Sequence, residues 1–68
     1  MPMYSNNKLK FYREQAEMKL YHLSKVTGLS QGYLCHLEKG TRNNPSIKVM
    51  EKISKALNKS IGEIFFNE

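Results

Sequence analysis

The sequence predicts an all-α fold, a compact domain built from five short helices. Apolar residues recur at intervals of three and four over nearly the whole chain, which is the period of an amphipathic helix. No stretch of useful length alternates as a half-buried strand would. Capping residues divide the chain into helix-sized segments. We therefore expect residues 1–68 to form a single domain, with its core at about residues 7–66.

The first two helices are predicted at about residues 7–16 and 20–27. Ser5 or Asn6 is the expected N-cap of the first, because a short polar side chain before a helix can accept a hydrogen bond from a free backbone N–H. The second helix is followed by Gly28, in the place where a residue of left-handed conformation commonly ends a helix.

The other three helices are predicted at about residues 31–39, 47–57 and 61–66, and the first of these ends at residue 38 or 39. Each follows a serine that can serve as its N-cap, namely Ser30, Ser46 and Ser60. Gly40 and Asn58 stand where left-handed residues would close the third and fourth helices. Short connections between all five helices favour one small all-α domain.

The second and third helices are the informative pair. Two short helices joined by a tight turn form a helix-turn-helix, and residues 20–38 fit that arrangement. Ser24 is small where the two helices approach each other, and Gly28 permits the positive φ that a tight turn needs. Leu29 can direct the turn into the core. These features at a fixed spacing predict the motif more strongly than any one of them does.

The charge balance favours an anionic partner. The chain has 11 basic and 6 acidic residues among 68, which gives a net charge of +5 and a pI of about 9.5. An excess of positive charge on a small domain is typical of proteins that bind nucleic acid or an anionic membrane surface, although it can also serve solubility alone.

Nothing in the sequence indicates an oxidising compartment or a membrane. Cys35 is the only cysteine, so an internal disulfide is impossible. No apolar run approaches the ~20 residues that a membrane span needs, and the first residues lack the apolar core of a secretory signal. We therefore expect a cytoplasmic protein with no membrane partner.

The sequence offers no convincing catalytic or metal site. A structural zinc site needs four ligands, and His22, Cys35 and His36 lack any paired Cys or His spacing. Cys35 and His36 are adjacent, so their side chains diverge on a helix, and no aspartate exists to orient the histidine. We expect no enzyme activity, no metal, no cofactor and no small-molecule ligand.

Four segments carry a resemblance to a known family: LKFYRE, LSKVTGLSQGYLCHLEKG, NPSIKVMEKISKAL and SIGEIF. Together they cover residues 9–65 and resemble the phage repressor and Cro-like helix-turn-helix family, also called the Xre family. The resemblance implies a compact five-helix, lambda-repressor-like domain that binds double-stranded DNA. Members of the family usually act as dimers on two-fold symmetric operators, with the third helix in the major groove.

The resemblance also implies roles for particular positions. Ser30 corresponds to the residue that opens the recognition helix. The main base-contacting positions correspond to Gln31, Gly32 and His36. Tyr33 corresponds to a position that often meets the sugar–phosphate backbone. The loop that contacts phosphates corresponds to Arg42, Asn43 and Asn44.

Other positions match the family's structural pattern or depart from it. Arg13 and Glu38 correspond to an ion pair between the first and third helices. At the start of the second helix, Leu20 replaces a glutamine that holds a phosphate in many members. Lys19 replaces the usual Ser or Thr N-cap, but its ammonium can still meet a phosphate. Glu17 occupies a turn position where glycine is common.

A helical wheel gives the third helix an outward face. Its members are Gln31, Gly32, Cys35, His36 and Lys39. On this face an amide suits adenine, an imidazole suits guanine or phosphate, a lysine suits phosphate, and a glycine lets the backbone approach a base pair. Cys35 is interpreted as a small residue near the DNA surface. The competing interpretation is an ordinary solvated face with a neutral glycine.

Large apolar residues of the first and fifth helices are assigned either to the core or to a partner surface. Ile64 and Phe65 are the best core candidates, whereas Phe11 and Phe66 exceed what a small core needs. Exposed aromatic residues can mark a protein-binding surface. We predict a homodimer whose interface includes Ile61, Phe65 and Phe66, so Phe65 carries both assignments.

Together these features predict a sequence-specific DNA-binding transcriptional regulator, a repressor that binds a two-fold symmetric operator as a dimer. One alternative is a controller or antitoxin protein of a restriction-modification or toxin operon, with a regulatory protein partner. Another is a protein-interaction module whose basic face is incidental. The polar face of the third helix favours DNA, whereas a protein-binding surface would centre on Phe11 and Phe66.

Overall fold

Five α-helices make up the secondary structure in the computed structural model, which describes residues 7–40 and 45–66. They are α1 Leu9–Gln15, α2 Leu20–Thr27, α3 Gln31–Lys39, α4 Ile47–Leu57 and α5 Ile61–Phe65. The two described ranges contain no β-strand. The all-α prediction is confirmed, and so are the bounds predicted for α2, α3 and α4.

The N-termini of α3, α4 and α5 begin as capping chemistry predicts. Each N-cap serine accepts a hydrogen bond from the backbone N–H three residues later, at distances of 3.0–3.2 Å. The three serines are Ser30, Ser46 and Ser60. At α5 the side chain of Glu63 also accepts from the backbone N–H of Ser60, which completes a capping box.

The start of α1 differs from the prediction. The helix begins at Leu9 with Lys8 at the N-cap position, and the side chain of Lys8 makes no capping hydrogen bond. Asn7 supplies the missing acceptor, because its Oδ1 accepts from the backbone N–H of Leu9 at 3.0 Å. Ser5 and Asn6, the predicted caps, lie outside the described residues.

The helix ends use left-handed residues, as predicted for three of them. Gly28 ends α2 with φ +77°, Gly40 ends α3 with φ +79°, and Asn58 ends α4 with φ +56°. A fourth left-handed residue, Glu17, follows α1 with φ +56°. Since an L side chain is strained in this region, Glu17 marks a turn that glycine would satisfy more easily.

One hydrophobic core holds the helices together. Helix α3 packs against α1 and α2, α4 packs against α2 and α5, and α5 packs against α1. The fully buried side chains of this core include Leu9, Leu23, Leu34, Leu37, Ile53, Ile64 and Phe65. Leu29, in the turn between α2 and α3, packs against this core as the sequence predicts.

Phe65 belongs to the core rather than to an interface. Its side chain is 0% exposed, so it has no surface to offer a second chain. This corrects the expectation that Phe65 contributes to a dimer contact. Phe66, the next residue, is exposed at the end of α5, and Ile61 is half-buried at its start.

Candidate nucleic-acid interface

The outward face of α3 is a polar surface on an otherwise buried helix. Leu34 and Leu37 turn the opposite face into the core. The predicted residues of the outward face fall within an arc of about 140° around the helix axis, so they share one side of the helix. Four are exposed and Cys35 is half-buried; the exposed ones are Gln31, Gly32, His36 and Lys39. Tyr33 is half-buried at the edge of this face.

The dimensions of α3 suit the major groove. An α-helix with its side chains is about 10–12 Å in diameter. The major groove of B-DNA is about 12 Å wide and admits one α-helix. A helix such as α3, whose first two residues are exposed and uncharged, is therefore narrow enough to enter it.

Gly32 is not explained by the fold itself. A Cβ built on Gly32 would meet no atom within 4 Å, and the residue lies in the first turn of a regular helix. Neither packing nor a positive φ requires glycine there. Its effect is to remove bulk from the exposed surface between Gln31 and the side chain of His36, one turn later.

The N-terminal end of α3 is fastened to α2 by side-chain hydrogen bonds. Ser24 Oγ donates to the backbone carbonyl of Leu29 at 2.5 Å. The backbone N–H of Leu29 donates to Thr27 Oγ1 at 3.2 Å. Thr27 Oγ1 in turn donates to the carbonyl of Leu23 at 2.7 Å. The turn that precedes α3 is therefore held by two hydroxyls of α2.

The C-terminal end of α3 is fastened to the start and the end of α1. Asn7 Nδ2 donates to the carbonyl of Leu37 at 2.8 Å. Arg13 Nε donates to Glu38 Oε2 at 2.6 Å, which forms the ion pair that the family resemblance implies. The hydrogen bond to Glu38 raises the pKa of the Arg13 guanidinium, and the attraction of Glu38 and Glu14 adds to it against the opposing effect of burial.

The predicted phosphate contacts outside α3 are only partly described. Lys19 is exposed at the N-cap of α2, and its side chain makes no capping hydrogen bond. Leu20, which replaces the family's glutamine, is half-buried and packs against the core. Arg42, Asn43 and Asn44 lie outside the described residues. The roles of these residues in DNA binding stay predictions.

Sequence reasoning missed three polar contacts that position α3. Asn7 was placed inside the predicted helix, because Ser5 and Asn6 just before it are equally good cap residues. The hydroxyl of Ser24 was interpreted only through its small size, and Thr27 only through its place on the apolar face. A Ser or Thr four residues or fewer before a left-handed glycine is the signal that could have indicated such bonds.

Exposed apolar side chains lie away from α3. Phe11 of α1 is 56% exposed and makes an edge-on contact with Tyr12, with ring centroids 5.1 Å apart. Phe66 is 36% exposed. Phe11 lies on α1 and Phe66 directly follows α5, the two helices to which the sequence assigns a protein-binding surface.

A metal site and a membrane-spanning helix are both absent from the described ranges. Residues 7–40 and 45–66 contain no group of three or more His, Cys, Asp or Glu side chains that could hold a metal ion. Among the helices of the same ranges, none has both the length and the apolar character needed to cross a bilayer.

Two relatives show where the sequence belongs. The HTH-type transcriptional regulator SinR of Bacillus subtilis is 33% identical over 54 residues, which cover 79% of this chain and 49% of SinR. An HTH-type transcriptional regulator of Methanocaldococcus jannaschii is 37% identical over 62 residues, covering 91% of this chain and 92% of that protein. The chain spans half or less of the length of the Bacillus relatives it matches.

Solved structures show the same architecture. The crystal structure of SinR, the master regulator for biofilm formation, in complex with DNA gives a TM-score of 0.76 at 33% identity, covering 79% of this chain and 86% of that one. A complex of SinR with SinI gives a TM-score of 0.78 at 32% identity, covering 82% and 54%. These relatives are regulators, and the family is a non-enzymatic one, as the sequence predicts.

The family model described as "Helix-turn-helix" matches residues 9–64, which include all five helices except the last residue of α5. The chain therefore belongs to this helix-turn-helix family, the Xre or lambda-repressor-like family that its sequence resembles.

Proposed function

We propose that this chain is a sequence-specific DNA-binding transcriptional regulator that places α3 in the major groove. The observation that carries the proposal is the outward face of α3: polar, exposed, and borne on a helix that side chains fasten at both ends. Fastening matters because base recognition needs hydrogen-bonding groups held in one orientation. SinR, a relative with the same architecture, has been solved in complex with DNA.

Within this proposal, four residues of the outward face have distinct tasks. Gln31 reads a base edge through its amide, as amide side chains do with adenine. His36, one turn further, donates to a base or a phosphate. Gly32 lets the helix backbone approach the floor of the groove. Lys39 contacts phosphate, which adds affinity without sequence information.

We further propose that the regulator is a repressor acting as a dimer on a two-fold symmetric operator. A single module buries only about 600–1,000 Å² on DNA. Non-specific binding alone gives a Kd of about 10⁻⁴–10⁻⁶ M. Two half-sites about 34 Å apart would raise the affinity into a useful range. Exposed Phe66 and half-buried Ile61 of α5 are the residues we assign to the dimer contact.

Binding to a partner protein is a second candidate function. SinR has also been solved in complex with SinI, and the exposed ring of Phe11 offers this chain an apolar surface outside the DNA-binding face. In a controller or antitoxin protein, such a partner would regulate DNA binding. In a protein-interaction module, binding of the partner would be the function in place of DNA binding.

Selection of bound sites from random double-stranded DNA tests the proposal directly. We expect enrichment of a two-fold symmetric consensus, with half-sites one helical turn apart. Enrichment of a single half-site would support DNA reading and contradict the dimer. If the purified protein enriches no sequence, the protein-interaction role replaces the proposed one.

A further inference from the structure

The turn between α2 and α3 is closed by side-chain hydrogen bonds. Leu29 is its middle residue, and both of its backbone polar groups are bonded to side chains of α2. Its carbonyl accepts from Ser24 Oγ at 2.5 Å, and its N–H donates to Thr27 Oγ1 at 3.2 Å. Thr27 is only 6% exposed, so its hydroxyl is shielded from competing water.

These two bonds fix the direction in which α3 leaves the turn. The carbonyl of Leu29 lies in the same peptide plane as the N–H of Ser30, the N-cap of α3. Holding that carbonyl therefore orients Ser30 and the helical turn that follows, which carries Gln31. The preceding residue, Gly28, adds no such restraint, because glycine at φ +77° can also adopt many other conformations.

The turn between α4 and α5 provides an internal comparison. SKVTGLSQG (residues 24–32) and SKALNKSIG (residues 54–62) share their serines, a lysine and a glycine in register. Ser54 Oγ donates to the carbonyl of Lys59, as Ser24 does to that of Leu29. The N–H of Lys59, however, donates to the backbone carbonyl of Ser54 at 3.2 Å.

The two turns therefore differ in what closes them. In the turn before α5, the N–H of Lys59 bonds to a backbone carbonyl, and the carbonyl of Lys59 bonds to a serine hydroxyl. The Cβ of Asn58 also limits the conformations that this turn can adopt. Before α3 both bonds come from hydroxyls, because Thr27 stands where the other turn has Leu57. The orientation of α3 thus depends on side chains to an extent that the orientation of α5 does not.

We propose that Ser24 and Thr27 are positioning residues for DNA reading, which set the angle of α3 through the backbone of Leu29. The inference rests on the proposed DNA binding. In the inferred binding mode, neither Ser24 nor Thr27 contacts DNA. They determine how well the amide of Gln31 and the imidazole of His36 reach base edges, so they govern specific binding more than phosphate-driven non-specific binding.

The test compares Ser24→Ala and Thr27→Val with Ser54→Ala, which removes the same kind of bond from the other turn. The readout is the ratio of Kd values for random-sequence DNA and for the site selected by the unsubstituted protein. Ser24→Ala and Ser54→Ala should lower the thermal midpoint by similar amounts. We expect the ratio to fall about five- to tenfold for Ser24→Ala and Thr27→Val, and to stay unchanged for Ser54→Ala.

Two outcomes overturn the inference while leaving the proposed function intact: an unchanged ratio in both α2 variants, or an equal fall in Ser54→Ala. If the unsubstituted protein selects no DNA site, both the inference and the proposed function are refuted. If Ser24→Ala is unfolded at the assay temperature, Thr27→Val carries the test, since valine keeps the shape of threonine. Residual dipolar couplings of the free protein should show a changed angle between α2 and α3 in that variant, and an unaltered angle refutes the inference.

Discussion

The guanidinium of Arg13 lies against the carboxylate of Glu38, with Nε 2.6 Å from Oε2 and Nη2 3.3 Å from Oε1. The remaining nitrogen, Nη1, donates to the carbonyl of Met18 at 2.8 Å. One side chain thus joins α1 to α3 and to the connection before α2. Both partners are largely buried, with 12% and 8% of their side chains exposed.

Glu38→Gln should lower the free energy of unfolding by about 2–3 kcal/mol, because it leaves the largely buried guanidinium of Arg13 without its counter-charge. Urea denaturation measures the change. Glu51→Gln is the matched control: Glu51 is an exposed glutamate of α4, and its substitution should shift stability by less than about 0.5 kcal/mol. Equal effects of the two substitutions would contradict a structural role for the ion pair.

The pH dependence of this contact follows from the raised pKa of Arg13. A cation whose pKa is raised on folding stabilises the protein at every pH below its unfolded pKa, and the stabilisation is lost only as the pH rises through the folded pKa. Both values are strongly alkaline for arginine. The charge of Arg13 therefore adds no pH dependence to stability in the neutral range.

Gly32→Ala should stabilise the free protein by up to about 1 kcal/mol, because alanine is the better helix former and the new methyl group meets no atom within 4 Å. Gly28→Ala has the same open space but a φ of +77°, so it should destabilise by about 1 kcal/mol or more. Thermal unfolding of the pair separates backbone strain from side-chain space.

The same Gly32→Ala variant should bind its selected DNA site more weakly despite its greater stability. The added methyl group lies on the face that we place against the groove floor, where the backbone approaches the bases. Fluorescence anisotropy with the selected duplex measures the loss. A variant that is more stable and binds equally well would show that glycine at this position is neutral.

How far the sequence predicts this molecule depends on whether a feature is local. Helix ends at Gly28 and Ser30 were predictable, since capping depends on residues within one turn. The start of α1 was not, because Asn7 is held by Leu37, thirty positions away in the chain. A contact of that kind exists only after the helices have packed.

The same distinction applies to the candidate site. The outward face of α3 follows from helical periodicity, so its residues were predictable. Phe65 was not assignable to one role, because a five-residue helix gives too short a pattern to separate a core face from an exposed one. The closure of the turn by Ser24 depends on the path of the backbone, which periodicity does not encode.

Glu17→Gly should stabilise the protein by about 1 kcal/mol, because glycine adopts a φ of +56° without the strain that a Cβ causes. The side chain of Glu17 is exposed and contributes nothing to the core. Asn58→Gly is the matched control at the same φ, and its gain should be smaller since asparagine tolerates this conformation. Chemical denaturation checks both, and a larger gain at Asn58 would contradict the strain argument.

Gln31→Ala should cost about 1–3 kcal/mol of affinity for the selected site and relax the preference at one base pair. Lys39→Ala, two turns further along α3, should weaken binding to all sequences and reduce the salt slope by about one unit, because it removes a phosphate contact. Binding to a panel of single-base variants at several salt concentrations distinguishes the two effects. Equal loss on every sequence for Gln31→Ala would exclude base reading by this residue.

Phe66→Glu should shift the protein from dimer to monomer, because it introduces a charge into the apolar contact that we assign to the end of α5. Sedimentation at micromolar concentration should then give a mass near 7.9 kDa, that of one chain. Tyr21→Glu is the control, since Tyr21 of α2 is 57% exposed and lies outside the proposed contact. A dimer that persists in Phe66→Glu removes α5 from the interface, whereas dissociation in Tyr21→Glu alone would place the contact on α2.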